Sequence, residues 1–198
     1  MKSLEYISVS LLLILFALGC TRKEAQNQED MKNAMSSTNA QEMATHFTKA
    51  VAVIHPTAGN NAMGTVTFEQ TDNGVKVHAD VKGLSPGLHG YHVHLYGDCT
   101  APDGTSAGTH FNFEGSSLNP PADIDHITGD LGNLDANDNG DATADTMIAI
   151  ATLNGTKSII GRAIVVHEKA NDPSQPPIGA AGSRLGCGVI GIANTGTE

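Results

Sequence analysis

The feature that most constrains this chain is a pair of histidines two residues apart, in the run Gly90-Tyr91-His92-Val93-His94. Tyrosine and valine favour β-strands, and on a strand every second side chain points to the same face. Both imidazoles therefore lie on one side, with Val93 on the other. Two neutral imidazoles held side by side on a rigid backbone supply half of a metal site. A strand that turns polar side chains to solvent explains the same pair without a metal. The surrounding sequence decides between these two interpretations.

Further blocks of sequence stand around this pair in a fixed order. They are Gly87-Leu88-His89, Gly97-Asp98-Cys99, Ser106 to Asn112, Gly129 to Asn133, Gly161-Arg162, Val165 to Ala170, and Gly182 to Gly191. In this order the blocks resemble the copper/zinc superoxide dismutase family. The resemblance covers about residues 48 to 193, which is nearly the whole of the part expected to fold.

The pattern of apolar residues predicts an all-β fold. Alternating runs such as Val75-Lys76-Val77 are separated by turn signals such as Asp72-Asn73-Gly74, and roughly eight short strands of this kind are typical of a sandwich or flattened barrel. The resemblance makes this an eight-stranded Greek-key β-barrel or sandwich. Two long functional loops are expected, from residue 97 to about 127 and from 168 to 183.

The resemblance assigns four histidines to copper: His92, His94, His110 and His167. Nitrogen ligands suit both oxidation states of copper, and a redox site also needs an open position for substrate. The pair on one strand face, His167 at the end of another strand, and His110 in a long loop are compatible with one site. In the family the residue at position 110 also bridges to zinc.

The activity that the resemblance implies is conversion of superoxide to dioxygen and hydrogen peroxide by copper redox cycling. His110 and Arg184 would be the catalytic residues, the first exchanging a proton and the second lying beside the copper. Superoxide is an anion and the chain carries a formal net charge of −10, so a fixed guanidinium would draw the substrate in. The resemblance also pairs Cys99 with Cys187 in a disulfide.

A second hypothesis is a copper-binding or copper-handling protein without useful turnover, because the same four histidines would serve it. The presence of Arg184 favours the enzyme, since storage of copper has no use for an arginine that steers anions. The net charge of −10 argues against nucleic acid as a partner. A homodimer is compatible with the resemblance, although the sequence does not decide the oligomeric state.

The zinc half of the site departs from the family pattern. Asp130 matches the family's zinc aspartate, but Leu118 and Ile127 stand where the family has histidines, and His126 is one residue out of register. A structural zinc ion takes four protein ligands. Three remain here, His110, His126 and Asp130, so a lost or weak zinc site is predicted.

A further departure concerns the aspartate that links the copper and zinc ligands in the family. Asn171 occupies its position, and Asp172 follows as a candidate substitute. The alternative to a lost site is that His126 moves into place, with water or Asp172 completing the coordination.

The amino terminus reads as an export signal. Lys2 precedes an apolar stretch from Ile7 to Leu18, which is too short to span a bilayer comfortably. The stretch ends in Ala17-Leu18-Gly19-Cys20, which looks like a bacterial lipoprotein cleavage site. Residues 1–19 are therefore predicted to be a lipoprotein signal peptide and Cys20 the lipidated residue. An ordinary secretory signal with an incidental cysteine is the alternative.

The remaining organisation follows from composition. The chain has three cysteines, and lipid on Cys20 leaves one pair with no odd thiol in an oxidising compartment. Residues 20–45 are polar and lack apolar periodicity, which predicts a flexible tether. Residues 46–198 form the predicted barrel domain. The expected location is the cell envelope, with a lipid anchor in the membrane and the domain facing the periplasm or the cell exterior.

Overall fold

The computed structural model describes residues 26–33, 46–112, 129–172, 174 and 180–196. The predicted signal peptide, Cys20, and His126 lie outside these ranges. The chain divides into two compact units, Met1–His46 and Phe47–Glu198. In the first, residues 26–33 form a short exposed helix, α1. Within the described ranges, no helix has the length and apolar character that crossing a membrane requires.

The described part of the second unit is built from eight β-strands in antiparallel pairs. In chain order they are β1 Lys49–Pro56, β2 Met63–Thr71, β3 Gly74–Lys82, β4 Gly87–His94, β5 Asp130–Ala136, β6 Ala142–Ile148, β7 Ala163–His167 and β8 Arg184–Ile192. Two 3₁₀ turns, Thr105–Ala107 and Gly155–Lys157, lie in the connections.

The strand order is β5-β4-β7-β8-β1-β2-β3-β6. Strands β5 and β6 stand at the two ends of this order and are joined by a short turn, so the sheet curls into a nearly closed barrel. Strands β1 to β3 are consecutive neighbours, whereas the connections from β3 to β4 and from β6 to β7 cross to the other part of the sheet. This is a Greek-key arrangement, which confirms the predicted fold class.

Alternation of buried and exposed residues explains the strands. On β3, Val75, Val77, Ala79 and Val81 are all buried, and the three residues between them are exposed. On β1, Val51 and Val53 alternate with small residues, which predicts that the valines form the apolar face, but Val53 is 50% exposed. The buried residues of β1 are Ala50, Ala52 and Ile54. Ala50 lies opposite Phe68 in β2, so a small residue faces a large one and the barrel interior stays filled.

Two strands are shorter than the sequence predicts. The apolar pattern favours strands over residues 142–153 and 158–167, but β6 ends at Ile148 and β7 begins at Ala163. Gly155 and Gly161 have φ angles of 69° and 83°. These left-handed conformations suit glycine and turn the chain out of the strand direction, so the intervening residues form turns instead.

A disulfide joins the loop after β4 to β8. Cys99 and Cys187 are bonded, with their Cα atoms 5.8 Å apart and 88 positions apart in the chain. The pairing that the family resemblance implied is therefore present. It fastens the start of the long loop against the strand that begins with Arg184.

Candidate metal centre

Strand β4 supplies two of the four histidines. His92 and His94 are 0% and 1% exposed and lie opposite Val165 and Ala163 of β7. The backbone of both is therefore held by a central strand of the sheet. A strand period of two places both rings on the same face, as the spacing predicts.

The third histidine, His110, lies in a short extended segment beside the end of β4. The Leu95 amide donates to the Thr109 carbonyl and the Phe111 amide to the Val93 carbonyl, both at 2.8 Å. The guanidinium of Arg162 lies 3.4 Å from the centre of the Phe111 ring, a distance typical of a cation–π contact. No local pattern in the sequence indicates that Arg162 supports this segment, because only the fold brings the two together.

The fourth histidine, His167, is the last residue of β7. Its Cα partner across the ladder is Arg184, the first residue of β8. Cross-strand neighbours have adjacent side chains. The pairing therefore sets the arginine next to the histidine, although 16 residues separate them in the chain.

One ligand nitrogen from each of the four histidines lies within 4.8 Å of the others, and all four side chains are buried. Of the described residues, this is the one such group of histidine, cysteine and acidic side chains. His94 Nδ1 lies 2.9 Å from the Gly108 carbonyl, and His167 Nδ1 lies 3.4 Å from the Gly182 carbonyl. A nitrogen beside a carbonyl must donate. Both Nε2 atoms, 3.2 Å apart, then carry lone pairs that face each other, an arrangement that a cation stabilises.

His92 presents the opposite nitrogen to the centre. Its Nε2 donates to Asn171 Oδ1 at 3.2 Å, which leaves the lone pair on Nδ1. This Nδ1 is buried and has no hydrogen-bond partner among the described residues. A buried lone pair without a donor is costly in a protein but suits a metal ligand. The four imidazoles therefore fit copper, which takes such nitrogen ligands in both oxidation states.

Burial keeps these rings neutral. It lowers the pKa of His92 to about 4 and that of His167 to about 3, with the neighbouring His92 adding to the effect on His167. The pKa values of His94 and His110 are also lowered, first by burial and then by neighbouring histidines and Arg184. Neutral imidazole is the form that binds metal, so the site is prepared for a cation at neutral pH.

The chain matches the family model described as copper/zinc superoxide dismutase (SODC) over residues 62–190. The chain belongs to the copper/zinc superoxide dismutase family. It is also 36% identical over 189 residues to a protein of Brugia pahangi named "Extracellular superoxide dismutase [Cu-Zn]". That alignment covers 91% of this chain and 94% of the relative. The family that the sequence motifs indicated is confirmed.

A pocket of about 250 Å³ opens onto the four-histidine centre. His94, His110 and His167 line it together with Arg184. The Arg184 guanidinium is held in place by donating to the carbonyl oxygens of Gly104 and Gly108 at 2.5 and 2.6 Å. The pocket therefore presents one fixed positive charge and the metal-binding nitrogens to the same small space.

The zinc half of the family's site is incomplete within the described residues. His110 Nδ1 is buried and without a hydrogen-bond partner there, and Asp130 is the first residue of β5. These are two donors where structural zinc takes four. His126, the third candidate, lies outside the described ranges. The residues that the structure describes fit copper and do not by themselves fit zinc.

At the family's linking position, Asn171 itself contacts a copper ligand. The Asp172 carboxylate accepts hydrogen bonds from the amide and hydroxyl of Ser174 at 2.9 and 2.6 Å. Asn171 instead contacts His92 on one side and Asp130 on the other, at 3.2 and 2.7 Å. A link to the copper ligand therefore exists, with an amide in place of a carboxylate.

His89 takes no part in the metal centre. It is 2% exposed, and its ring nitrogens lie 2.8 Å from the His167 carbonyl and 2.9 Å from the Ser85 carbonyl. His89 stands three positions before His92, and this odd spacing puts the two side chains out of phase along the strand. The partners of His89 are accordingly backbone carbonyls away from the four metal-binding histidines.

Proposed function

We propose that this chain is a copper-dependent superoxide dismutase whose copper is held by His92, His94, His110 and His167. The observation that carries the proposal is the convergence of four buried imidazole nitrogens on one point. Family membership and the name of the Brugia pahangi relative support the same activity.

The four histidines would hold copper, which would supply the one-electron redox chemistry that dismutation of superoxide needs. The chain's own residues bind the substrate and move protons. Arg184 lines the pocket and would draw the anion in against a chain of net charge −10. His110 also lines the pocket, and we assign to it the transfer of a proton to the reduced product.

The test is a single substitution with a matched control. His167→Ala removes one copper ligand and should abolish both tight copper binding and dismutation, because three ligands remain in an otherwise buried site. His55→Ala removes an exposed histidine of β1 and should change neither. Copper content by mass spectrometry and a superoxide assay give the readout. Full copper without turnover in the unmodified protein would favour the copper-handling hypothesis instead.

We also propose that the protein works outside the cytoplasm, anchored in the cell envelope by lipid on Cys20. A disulfide persists in oxidising compartments, and the relative is named extracellular. Residues 1–19 would be removed as the signal peptide and residues 20–45 would tether the domain, which faces the periplasm or the cell exterior. A homodimer is part of the same proposal, and sedimentation of the purified protein tests it.

The lipid anchor makes a separate prediction. Cys20→Ser should move the protein from the membrane fraction of the producing cell to a soluble fraction, because a lipid chain needs that thiol. Fractionation followed by intact-mass measurement gives the readout, with Ser36→Ala, in the same predicted tether, as the control. Membrane association that survives the cysteine change would point to a different type of signal.

The zinc site is proposed to be lost or weak, with His110, His126 and Asp130 as the remaining candidates. Metal analysis after dialysis against equal copper and zinc should find about one copper per chain and little zinc outside the copper centre. One tightly held zinc that disappears in His126→Ala would show that His126 completes the site.

A further inference from the structure

We propose that Asn171 is a positioning residue that fixes the copper ligand His92 by hydrogen-bonding it to Asp130. In this arrangement Asp130 serves the copper centre as a hydrogen-bond acceptor and not as a zinc ligand. The inference rests on the proposed function in one respect, that His92 binds copper. It goes further by assigning the orientation of that ligand to a protein bridge that needs no second metal ion.

The bridge begins with strand register. His92 on β4 lies directly opposite Asp130 on β5, so their side chains are neighbours. The approach is 3.7 Å between His92 Nε2 and Asp130 Oδ1, longer than a hydrogen bond between nitrogen and oxygen. Asn171 supplies the missing contacts, with Oδ1 at 3.2 Å from His92 Nε2 and Nδ2 at 2.7 Å from Asp130 Oδ2.

The donors and acceptors of His92, Asn171 and Asp130 can be matched in only one orientation of the Asn171 amide. An ionised carboxylate accepts hydrogen bonds and cannot donate, so it must face the amide nitrogen of Asn171. The amide oxygen then faces His92 and accepts the proton on Nε2. That proton assignment leaves the lone pair of His92 on Nδ1, which is buried, has no hydrogen-bond partner among the described residues and is therefore the nitrogen available to copper. The bridge therefore fixes the tautomer of His92 as well as the direction of its ring.

Asn171 is held in position by its own backbone. Its amide donates to Asn133 Oδ1 at 2.7 Å, and two residues earlier the Lys169 carbonyl accepts from the Gly90 amide at 2.8 Å. A Cβ at Gly90 would lie 3.0 Å from His92 Cε1 and 3.3 Å from the Asn171 nitrogen. Glycine at position 90 thus lets the loop and the His92 ring approach each other closely.

Asp130 is already engaged on both oxygens. Oδ2 accepts from Asn171, and Oδ1 accepts from the Gly132 amide at 2.8 Å. An aspartate at position 171 would keep an acceptor for His92 but would set a second carboxylate against Asp130. Two carboxylates in that position need a cation or a shared proton between them, whereas the asparagine present here donates to Asp130 without either.

The test measures Cu(II) affinity by chelator competition and the Cu(II) electron paramagnetic resonance spectrum, both in zinc-free buffer. Asn171→Ala should weaken copper binding by about 10–100-fold and shift the spectrum, as loss of a hydrogen-bond partner to a metal-bound histidine does. The matched control is Asn154→Ala. Asn154 is also partly buried and uses both ends of its amide, accepting from the Phe47 amide and donating to the Phe47 carbonyl at 2.8 Å each. The control should leave copper affinity and the spectrum unchanged.

Exchanging the amide and the carboxylate between positions 171 and 130 distinguishes a role in positioning His92 from a general loss of folding. Asn171→Asp combined with Asp130→Asn restores one acceptor for His92 and one donor between the two side chains. The double variant should recover copper affinity to within about threefold of the unmodified protein. Asn171→Asp alone should reach the thermal stability of the unmodified protein only when zinc is added. Such recovery is a coupling that independent sites do not show.

Failure of this inference is distinct from failure of the proposed function. Unchanged copper affinity and spectrum in Asn171→Ala would overturn the bridge even if the protein dismutates superoxide. Tight zinc in the unmodified protein that is lost in Asp130→Asn would overturn it as well. Weaker copper binding in Asn171→Ala, rescued by the swap, would support it even if no dismutation is found.

Discussion

Arg184 has two tasks in this structure. Its guanidinium lines the pocket above the metal-binding nitrogens, and it also donates to two carbonyl oxygens of the loop that carries Gly104 and Gly108. From the sequence, a pure steering role with little effect on stability is the natural expectation. The two hydrogen bonds add a structural contribution that only the folded loop reveals.

Substitutions at position 184 separate charge from loop support. Arg184→Ala should lower the second-order rate with superoxide several-fold, because the attractive charge is lost, and Arg184→Glu should lower it more. Arg184→Lys keeps the charge but not the paired hydrogen bonds, so its rate should lie between alanine and the unmodified protein. Both alanine and lysine variants should melt at a slightly lower temperature. Pulse-generated superoxide decay and thermal unfolding give the two readouts.

Ionic strength provides the control for steering. The rate of the unmodified protein should fall as salt is added, since added ions screen the attraction over about 8–10 Å at moderate salt. A rate that ignores both salt and the charge at position 184 would contradict the steering role.

At the scale of elements, three strands and one loop segment divide the work of building the site. Strand β4 carries His92 and His94, β7 carries His167, β8 carries Arg184, and the segment beside β4 carries His110. The strands are fixed by ladders on both sides. The segment with His110 depends on its pairing with β4, on the ring of Phe111 under Arg162, and on the disulfide that fastens the start of the same loop.

The disulfide makes the element-scale prediction. Joining residues 88 positions apart restricts the unfolded chain by roughly 4–5 kcal/mol in the chain-entropy model, an upper value. Reduction, or Cys99→Ser with Cys187→Ser, should therefore lower the melting temperature by about 10 °C or more. Copper affinity should fall too, because the loop that carries His110 loses its attachment to β8.

The control for the disulfide is to reduce the unmodified protein and then reoxidise it, which should restore both the melting temperature and the copper affinity. A double serine variant with unchanged melting temperature and copper affinity would contradict the assigned role.

At the scale of the whole molecule, the buried histidines make stability depend on pH. Burial lowers the pKa of His92 to about 4 and of His167 to about 3, against an ordinary value of 6.5. The nearby His92 and Arg184 also lower the pKa of His167. Between the lowered and ordinary values the unfolded chain binds more protons than the folded one. The free energy of unfolding therefore falls as the pH falls through this range.

The metal-free protein should accordingly melt at a lower temperature at pH 4.5 than at pH 7, with most of the loss below about pH 6.5. His167→Gln removes one of the buried titrating groups and should show a shallower dependence. Calorimetry over a pH series in the presence of a chelator gives the measurement. A melting temperature that stays constant from pH 7 to pH 4.5 would show that the histidines are not buried as neutral groups.

By itself, the sequence determined the all-β class, the four histidines, Arg184 and the cysteine pair. Periodicity of two placed His92 and His94 on one face, and family motifs in a fixed order identified the residues that are distant in the chain. These features can be read from the sequence because each is either a local pattern or a short motif in a recognisable order along the chain. Strand ends were less well determined, because Gly155 and Gly161 interrupt an apolar pattern that otherwise continues.

Only the tertiary structure decided which nitrogens face the metal and what holds them. Asn171 could be identified from the sequence as a substitution, but its contacts with His92 and Asp130 depend on the β4–β5 register and on the loop after β7. Arg162 likewise contacts Phe111 only in the fold, because the two residues are distant in the chain. Hydrogen bonds have a direction and a reach of about 3 Å, so they are set by the fold and not by spacing along the chain.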